Sequence, residues 1–578
     1  MLESRELNAN DKPWVVAETD PILANELAAQ LGVPRVIACL LVNRGIRTAE
    51  QAKAFLNPSI SDLHDPFLLP DLEAGVERLA RAIESGEKIC IHGDYDVDGI
   101  TSAAVLVRTL RALKANVSHR LPHRHREGYG IKPVAVEEAV EQGVGLIVTC
   151  DCGITACDTI EFANERGIDV IVTDHHEQGS ELPRAVAVIN PKRHDADYPF
   201  PELAGVGVAL KLAQAMVRRF GYNEDSFISK FVDLAALGTV ADVVPLSGEN
   251  RVIVKHGLDA IPKSKKVGLQ TMLKSAGLLG KPLTAHSLGF ILGPRINAVG
   301  RMDDAGVALR LLLTTDEQEA WALSCEMERL NRERRAEQER ILAQALEQVE
   351  SKDLSSVRVL VLSAEGWNAG VIGVVAGKIC DTYSRPTIMI SRDEKNGVGA
   401  GSARSIPSFS IVEGLRQCED LLEGFGGHAQ AAGLALRLDR LDAFEERINT
   451  VAAELIPEEE LVPRIEADAE LGPDEISDEL AEALVAMEPF GEGNHEPLFV
   501  TRGLTVIEKR RVGNGSHLKL WLRAKNQPSI ECIAFGFGDM YTSLELGTLV
   551  DLCYHVRHNM FNGTRSVQLV GKAIRICK

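Results

Sequence analysis

Apolar and polar positions alternate in different ways along the chain, and these changes divide it into predicted regions. In residues 1–75, stretches with the apolar spacing of a helix are interrupted by glycine and proline, which predicts a small, mostly helical region. From 76 to 250, the pattern predicts buried strands that alternate with helices. The strands are expected at 88–92, 144–150 and 168–173, and the helices near 99–114, 133–142 and 155–166. This alternation predicts a parallel sheet covered on both faces.

The second half of the chain follows other patterns. Residues 251–355 are mainly helical and end in a long charged helix at 316–350, which we interpret as a bridge between domains. A second α/β domain is predicted over 356–455, and an OB-fold β-barrel over 463–578. The five barrel strands are expected at 498–508, 517–523, 530–535, 548–556 and 565–575. The predicted fold class is therefore α/β, with two α/β domains joined by a long helix and a C-terminal OB-fold.

Composition narrows the protein class without identifying a function. The chain of 578 residues has 45% hydrophobic and 25% charged residues, as ordinary globular proteins do. No apolar run approaches the roughly 18 residues of a membrane span, and the first residues show no leader, so we expect a cytoplasmic location. The 11 cysteines contain no Cys-x-x-Cys pair, which favours buried reduced thiols over a zinc site.

The charge distribution matters more than its sum. A formal net charge of -20 argues at first against a nucleic-acid partner, and residues 454–482, expected to be a linker, carry twelve acids against Arg464 alone. Basic residues nevertheless cluster locally. They include Arg120, Arg124 and Arg126 around His119, His123 and His125, as well as Arg295, Arg301 and 509–511. An acidic body with basic grooves remains compatible with a polyanionic ligand.

The segment HGDYDVDG places potential metal ligands where the first predicted strand ends. His92, Asp94, Asp96 and Asp98 lie within seven residues, directly before a helical pattern. The Asp-x-Asp-x-Asp-Gly run also resembles an EF-hand loop. A calcium loop needs a bidentate Glu at its twelfth position, which is Val105 here, so we favour a catalytic metal site.

The next two predicted strands end in the same way. Asp151 follows the second strand, and Asp174, His175 and His176 follow the third. Ligands bind beyond the carboxyl ends of parallel strands, so these groups should converge at one edge of the sheet. Asp242 is a further candidate, because it lies between apolar stretches. Oxygen ligands mixed with imidazole favour Mg²⁺ or Mn²⁺, and the number of carboxylates favours two ions and phosphoester hydrolysis.

Other segments carry candidate phosphate-binding residues. Arg295, Asn297 and Arg301 form a compact polar group before the long helix. Two glycine-rich turns of the second α/β domain present Ser402, Arg404, Gly426, Gly427 and His428. In the predicted barrel, the candidates for binding a single strand are Lys509, Arg510, Arg511, Trp521, Tyr554 and Phe561, although each aromatic residue is equally well explained as core.

The motifs HGDYDVDG, TCDCGI, TDHH and GTVADVVPL resemble, in this order, the four signatures of the DHH phosphoesterase superfamily. The segments HREGYGI, YPFPELAGVGVALKL, RINAVGRMDDA, GWNAGVIGVVAGKI and GFGGHAQAAG resemble its RecJ branch of bacterial single-strand-specific 5′→3′ DNA exonucleases, whose second α/β domain is called DHHA1. One departure is Asn368, where RecJ relatives usually carry His. No role of that histidine is carried over to the asparagine.

The resemblance implies roles for the candidate residues. The metal ligands would be His92, Asp96, Asp98, Asp151, His175 and Asp242, with Asp151 bridging two ions. Asp94 and Asp174 would be supporting acids, and His176 would contact the scissile phosphate or assist protonation. The segment of Arg295, Asn297 and Arg301 would line the DNA path, and DHHA1 would bind substrate.

We therefore expect a metal-dependent exonuclease that releases mononucleotides from single-stranded DNA in recombination and repair. The chain has no Walker A loop, so it would depend on a helicase, and the resemblance adds single-stranded-DNA-binding protein as a partner. Two alternatives remain open. One is a small-substrate phosphoesterase that cleaves short oligonucleotides or cyclic dinucleotides, whose relatives usually lack the OB-like tail. The other is a non-catalytic DNA-binding scaffold.

Overall fold

The computed structural model describes residues 12–124, 126–302, 304–525, 527–561 and 564–577. The described chain forms two compact units. The amino-terminal unit comprises Thr19–Asn331 and Glu482–Glu496, and the carboxy-terminal unit comprises the rest. Among the described residues, no helix is long and apolar enough to cross a membrane.

The first strand, β1 (Trp14–Val16), belongs to the carboxy-terminal unit. The amino-terminal unit contains strands β2–β6 and helices α1–α13. The strands are β2 (Lys88–Gly93), β3 (Asn116–Arg120), β4 (Leu146–Cys150), β5 (Asp169–Thr173) and β6 (Ala187–Ile189). The helices are α1 (Pro21–Leu31), α2 (Arg35–Asn43), α3 (Ala49–Leu56), α4 (Leu72–Ser85), α5 (Val97–Ala112), α6 (Pro133–Glu141), α7 (Cys157–Asn164), α8 (Gly205–Arg219), α9 (Glu224–Ala241), α10 (Gly248–Ala260), α11 (Val267–Ser275), α12 (Gly293–Met302) and α13 (Gly306–Leu313). A π-helical segment, Ser287–Leu292, precedes α12.

The five strands form one parallel sheet in the order β3-β2-β4-β5-β6. The register pairs Gly93 with Cys150 and Cys150 with Thr173, so β2, β4 and β5 end at the same level. The three predicted strands are therefore observed. Sequence patterns missed β3, because NVSHR is a polar edge strand, and β6, because it has only three residues.

The main hydrophobic core of the amino-terminal unit extends along the chain from Leu69 to Leu330 and includes residues of α5, α8, α9, α11 and α13. A separate core joins α6 and α7 to the sheet, and a small one joins α1 to α2. The helices of the predicted 251–355 connector thus pack into the same core as the sheet as far as Leu330. The domain boundaries stay predictions, since these compact units divide the chain differently.

Residues 482–496 lie within the predicted OB domain but pack in the amino-terminal unit. Arg251, only 1% exposed, explains this placement. Its guanidinium donates hydrogen bonds to the carbonyl oxygens of Met487 (3.0 Å) and Glu488 (2.9 Å) and stacks on Phe55 at 3.8 Å. A buried cation is satisfied by backbone carbonyls here, which no local sequence pattern reveals.

Helix α14 (Glu317–Glu350) runs from one unit into the other, as predicted for the long charged segment. The carboxy-terminal unit contains a five-stranded sheet in the order β10-β11-β9-β8-β7, in which only the β7–β8 pair is parallel. Its elements are β7 (Leu360–Glu365), α15 (Ile372–Tyr383), β8 (Thr387–Asp393), β9 (Val398–Arg404), α16 (Ile411–Arg416), β10 (Gly424–Gly427), β11 (Ala431–Arg437) and α17 (Leu441–Leu455).

The C-terminal strands close into a barrel. Strands β14 (Phe499–Val512), β15 (His517–Arg523), β16 (Ile530–Ala534), β18 (Thr564–Ile576) and β17 (Leu549–Phe561) follow one another in the sheet, and β17 pairs back with β14. The predicted acidic linker is instead structured. It contains β12 (Ile465–Ala467), which pairs with β1, β13 (Ala469–Glu470), which pairs with β14, and the start of α18 (Asp478–Ala486).

Candidate metal centre

The loop after β2 is shaped by its own aspartates. Asp96 is the N-cap of α5 and accepts hydrogen bonds from the backbone N–H groups of Asp98 (3.0 Å) and Gly99 (3.1 Å). Gly99 lets the loop fold tightly, since a Cβ there would lie 2.5 Å from the backbone nitrogen of Asp94. The loop therefore turns all three aspartates of HGDYDVDG back toward the carboxyl edge of the sheet.

Asp98 is held by the start of another helix. Its carboxylate accepts hydrogen bonds from the backbone N–H groups of Gly205 (2.6 Å) and Val206 (2.8 Å), the first residues of α8. The positive end of the helix dipole stabilises an anion at this point. Burial and the charge of Asp96 nevertheless raise the pKa of Asp98 to about 7. The negative charge of the neighbouring carboxylates and the burial of Asp98 thus outweigh the effect of these backbone donors on its pKa.

Asp151 lies at the centre of the cluster. Its backbone has φ +61°, in the left-handed region, and its N–H donates to the carbonyl of Thr173 at 3.0 Å, which fixes the turn after β4. Its Oδ1 is 3.2 Å from Nε2 of His175, and that nitrogen is 3.6 Å from Asp242 Oδ2 at the end of α9. Burial, then the charge of Asp98, raises the pKa of Asp151 well above its ordinary range.

Potential ligand atoms form three groups in which all atoms lie within 4.8 Å of one another. The groups are Asp98, His175 and Asp242; Asp94, Asp96 and Asp151; and Asp151, His175 and His176. Asp151 belongs to two groups that share no other residue, as expected for a bridging ligand. His92 is not a member of any of these groups, although it lies one residue before the end of β2.

Several buried polar atoms of this cluster lack a hydrogen-bond partner among the described residues. They are Nε2 of His92, Oδ1 of Asp94, Oδ1 of Asp151 and both ring nitrogens of His175. Burial lowers the pKa of His92 and of His175 to about 3, so both imidazoles are neutral and offer lone pairs. Buried polar groups are normally paired, so carboxylate oxygens and neutral imidazoles left open together fit the ligand set of divalent cations.

Asp174 supports the cluster without joining the cation groups. It is fully buried and accepts hydrogen bonds from the backbone of Ile154 (2.9 Å) and of His175 (2.8 Å) and from Nδ1 of His176 (2.7 Å). Burial alone would raise the pKa of Asp174, but the hydrogen bond from His176 lowers it. The ionised carboxylate is an acceptor only, so Nδ1 of His176 carries the hydrogen of this bond.

Tyr129 is a residue of this site to which sequence analysis assigned no role. Its hydroxyl lies 3.0 Å from Nδ1 of His176 and 3.1 Å from the carbonyl oxygen of Asp151. Because the Nδ1–H of His176 donates to Asp174, the Tyr129 hydroxyl is a second, longer acceptor of the same hydrogen, and it donates its own hydrogen to the carbonyl of Asp151. The only sequence signal was its place in the HREGYGI segment.

The predicted phosphate clamp on α12 is only partly supported. Asn297 accepts a hydrogen bond from the backbone N–H of Val97 at 3.2 Å, so it holds the start of α5. Arg295 is ion-paired with Glu328 at 2.5 Å, so its charge is already neutralised and does not favour a phosphate role. Arg301 remains a candidate at the rim, where its charge acts on Tyr95, and Arg124 stacks on that ring at 4.8 Å.

In the carboxy-terminal unit, Ser402 and Arg404 lie next to the start of α15. A Cβ at Gly373 would be 2.7 Å from Oγ of Ser402 and 3.4 Å from a terminal nitrogen of Arg404, so glycine permits this close approach. Gly426 faces open space, whereas Gly427 has φ +145°, and the N–H of His428 donates to the carbonyl of Ala431 at 2.8 Å. These residues stay candidates for substrate binding.

The barrel candidates separate into two kinds. Trp521 is half-buried and has cations on its ring, Lys519 at 5.1 Å and Arg510 at 5.7 Å. Lys509 instead donates to the carbonyls of Tyr541 and Leu544, and Arg511 donates to that of Gly538, so both hold a loop. The interpretation of Tyr554 as a base-stacking residue is wrong, because it is fully buried. The side chain of Phe561 and all of His125 lie outside the described residues.

Comparison with known proteins matches all three predicted functional domains. Residues 88–239 match the DHH family, N-terminal domain, 356–454 match the DHHA1 domain, and 467–573 match the RecJ OB domain. A Bacillus subtilis (strain 168) protein, single-stranded-DNA-specific exonuclease RecJ, is 38% identical over 566 residues, covering 98% of this chain and 71% of the relative. The chain belongs to the RecJ family.

Two solved structures of RecJ from Thermus thermophilus have the same fold. The complex with Mn²⁺ matches with a TM-score of 0.83 and 34% identity, covering 98% of this chain and 80% of that one. The complex with Mg²⁺ matches with a TM-score of 0.78 and 32% identity, covering 98% and 79%. The predicted family and fold class are therefore confirmed.

Proposed function

We propose that this chain is a metal-dependent exonuclease specific for single-stranded DNA, which hydrolyses phosphodiester bonds in the 5′→3′ direction and releases mononucleotides. The observation that carries this proposal is the meeting of Asp98, Asp151, His175 and Asp242 at the carboxyl edge of the sheet, with buried ligand atoms left open. The name of the Bacillus subtilis relative supports the single-stranded-DNA substrate and exonuclease activity, and the 5′→3′ polarity is proposed from the resemblance to the RecJ branch.

We assign the ligands to two cation positions, which Mn²⁺ or Mg²⁺ would fill. We assign Asp98, Asp151, His175 and Asp242 to one position, and Asp96 and Asp151 to the other. Asp94 lies in the same group as Asp96 and Asp151 and is kept as a supporting acid, whereas His92 lies outside the groups and is assigned to the second position on its open Nε2. Held by these residues, two divalent ions would supply activation of a water molecule and charge stabilisation of the attacking and leaving oxygens at phosphorus. The bridging role of Asp151 makes it the residue on which both positions depend.

Three residues of the chain prepare a proton donor. Asp174 fixes the Nδ1–H tautomer of His176 and raises the pKa of this imidazole against the effect of burial. Tyr129 ties the same nitrogen to the backbone of Asp151. The raised pKa favours the imidazolium form, in which His176 would contact the scissile phosphate through Nε2–H and give that proton to the leaving oxygen, while Nδ1–H stays on Asp174.

Strand binding is assigned to residues outside the cation positions. The candidates are Asn297, Arg301, Ser402, Arg404, Gly426, Gly427, His428, Arg510 and Trp521. In the cell, a helicase would supply single strands and single-stranded-DNA-binding protein would present them, and both partnerships and the cytoplasmic location remain predictions.

End-labelled single-stranded and duplex DNA should be digested with Mn²⁺, with Mg²⁺ and with chelator. We expect mononucleotide release from the 5′ end of the single strand only, and no release in chelator. Asp151→Ala should abolish release, whereas Asp158→Ala, which removes an exposed acid on α7, should not. Equal activity with and without chelator contradicts the proposal.

The same assay distinguishes the two alternatives. A small-substrate phosphoesterase would cleave cyclic dinucleotides faster than a long strand, and a scaffold would bind single strands without cleaving them. The closed OB-type barrel argues against the first, and the complete ligand cluster argues against the second, because unpaired buried carboxylates destabilise a fold that has no use for them.

A further inference from the structure

The amino-terminal unit contains a cavity of about 640 Å³ away from the metal centre. Helices α5 and α9 pack together and supply residues to both sites. Arg108, which lines the cavity, comes ten residues after Asp98 on α5, or about 15 Å along the helix axis. Asp233, also in the lining, precedes Asp242 by nine residues, or about 14 Å along α9. The cavity and the metal centre thus lie at opposite ends of the same two helices.

The cavity is basic, although the chain as a whole is strongly acidic. Its lining contains five cations against the carboxylates Asp233 and Asp259. The cations are Arg108, Lys230, Lys263, Lys265 and Lys266. With a formal net charge of -20 for the whole chain, a concentration of cations at one concave site indicates an anionic ligand.

Within the lining, most of these cations are not neutralised by a carboxylate. Lys266 alone is neutralised within the lining, since its Nζ lies 2.8 Å from both oxygens of Asp233 and also donates to the carbonyl of Lys230. Arg108 donates through Nε to the carbonyl of Leu312 at 2.8 Å, but its buried Nη2 has no hydrogen-bond partner in the described part of the chain. A buried guanidinium nitrogen without an acceptor is costly, and a small movement of the Arg108 side chain toward the cavity would let a phosphate oxygen satisfy it.

The walls between the cations are apolar. Ile60, Phe231, Val232 and Ala260 line the cavity together with the basic residues. Its volume falls within the roughly 300–1,000 Å³ of small-molecule sites, where apolar walls hold the body of a ligand and a few polar groups orient it. Apolar walls suit a nucleobase, and the cations suit its phosphates.

We propose that this cavity binds a nucleoside phosphate, with the phosphates on Arg108, Lys263 and Lys265 and the base against Phe231 and Val232. The chemistry is that of a phosphate-bearing nucleotide, which is present both in free nucleotides and in a DNA strand. The limited volume favours the free nucleotide, so the binding test includes both sources.

Binding of N-methylanthraniloyl-ADP to the full-length chain should be followed by fluorescence anisotropy in EDTA, where the carboxylates of the metal centre repel the probe. We expect saturable binding that inorganic pyrophosphate competes away. Lys263→Glu combined with Lys265→Glu reverses two charges of the lining and should raise the Kd at least about tenfold. Lys281→Glu, an exposed lysine outside the lining, should leave the Kd unchanged, and so should Asp151→Ala.

Three results would overturn the proposal. One is the absence of saturable binding at millimolar probe, and another is equal affinity in the charge-reversed and wild-type chains with matching thermal unfolding. The third is binding of a (dT)20 strand, lost in the charge-reversed variant, without any binding of free ADP, which would place the cavity on a strand path. Tighter probe binding in Asp151→Ala, which removes a repelling carboxylate, would assign the probe to the metal centre and would also contradict the proposal.

Discussion

Gly205 offers the sharpest test of the metal centre, because its substitution affects two proposed ligands at once. The N–H of Gly205 donates to Asp98 Oδ2 at 2.6 Å. A Cβ added there would lie 2.8 Å from both Cβ and Oδ1 of Asp151 and 2.9 Å from Asp98 Oδ2. Non-bonded atoms prefer separations of about 3.5 Å or more, so Gly205→Ala requires shifts of roughly 0.5 Å or more.

Neither carboxylate is free to make that shift. Asp98 is also held by the N–H of Val206 at 2.8 Å, and Asp151 is fixed by its left-handed backbone and its bond to Thr173. Overpacking of this kind costs about 1–3 kcal/mol of stability, which a domain of this size tolerates. Misplacement by about 1 Å at a reacting centre costs on the order of 100-fold in rate, so we expect a loss of kcat approaching 100-fold.

The matched control is Gly207→Ala, two residues further along α8. Its new Cβ would lie 3.0 Å from Cδ2 of Leu203, the movable end of a side chain that is not part of the centre. Single-turnover digestion of 5′-labelled single-stranded DNA with Mn²⁺ should show a large loss for Gly205→Ala and less than about threefold for Gly207→Ala. Wild-type turnover by folded Gly205→Ala protein refutes the assignment of Asp98 and Asp151 as ligands.

Three further predictions address other parts of the molecule. In chelator, Asp98 with a pKa of about 7 keeps a proton in the native state that the unfolded carboxyl has lost, so its contribution to the free energy of unfolding should fall as the pH rises from about 4 through about 7. Because His92 and His175 are neutral in the native state and act in the opposite sense near pH 6.5, this contribution is measured as the difference between the wild-type chain and Asp98→Asn. Urea titrations at several pH values measure this slope, and saturating Mn²⁺ should remove it. Tyr129→Phe should lower kcat about tenfold with KM nearly unchanged, while Tyr222→Phe, an exposed tyrosine, has no effect; equal kcat values exclude a role in positioning His176. Trp521→Ala should weaken single-strand binding by about 1–3 kcal/mol in an anisotropy titration, whereas Trp321→Ala on α14 should not; equal affinities remove Trp521 from the DNA surface.

The sequence predicted the candidate site wherever a strong local pattern carried it. Runs of apolar residues predicted β2, β4 and β5. The common register of these strands brings Asp151 and Asp174 to the level of the loop after Gly93. The barrel strands were recognised for the same reason, since apolar runs and turn residues are local signals.

What the sequence could not provide depends on contacts between distant segments. The hydrogen bonds from the start of α8 to Asp98 join residues more than a hundred positions apart, and Tyr129 reaches His176 across 47 positions. The same limit applies to Arg295. Its neighbours in sequence predict a phosphate ligand, which stays a prediction, but they do not reveal the ion pair that it forms with Glu328 on the long helix.

These contacts explain how a protein keeps so many acids in one place without cations of its own. Among the described residues, Asp98 and Asp174 are held by backbone N–H groups and by His176, and no lysine or arginine forms an ion pair with Asp98, Asp151 or Asp242. Backbone dipoles fix the position of a carboxylate but carry no net charge, so the cluster keeps its affinity for external cations. An arginine in place of these donors would stabilise the apo-protein and occupy the ligand oxygens. The protein without metal is therefore less stable than it would be with an arginine at this site, but the geometry of the centre is already set when the ions bind.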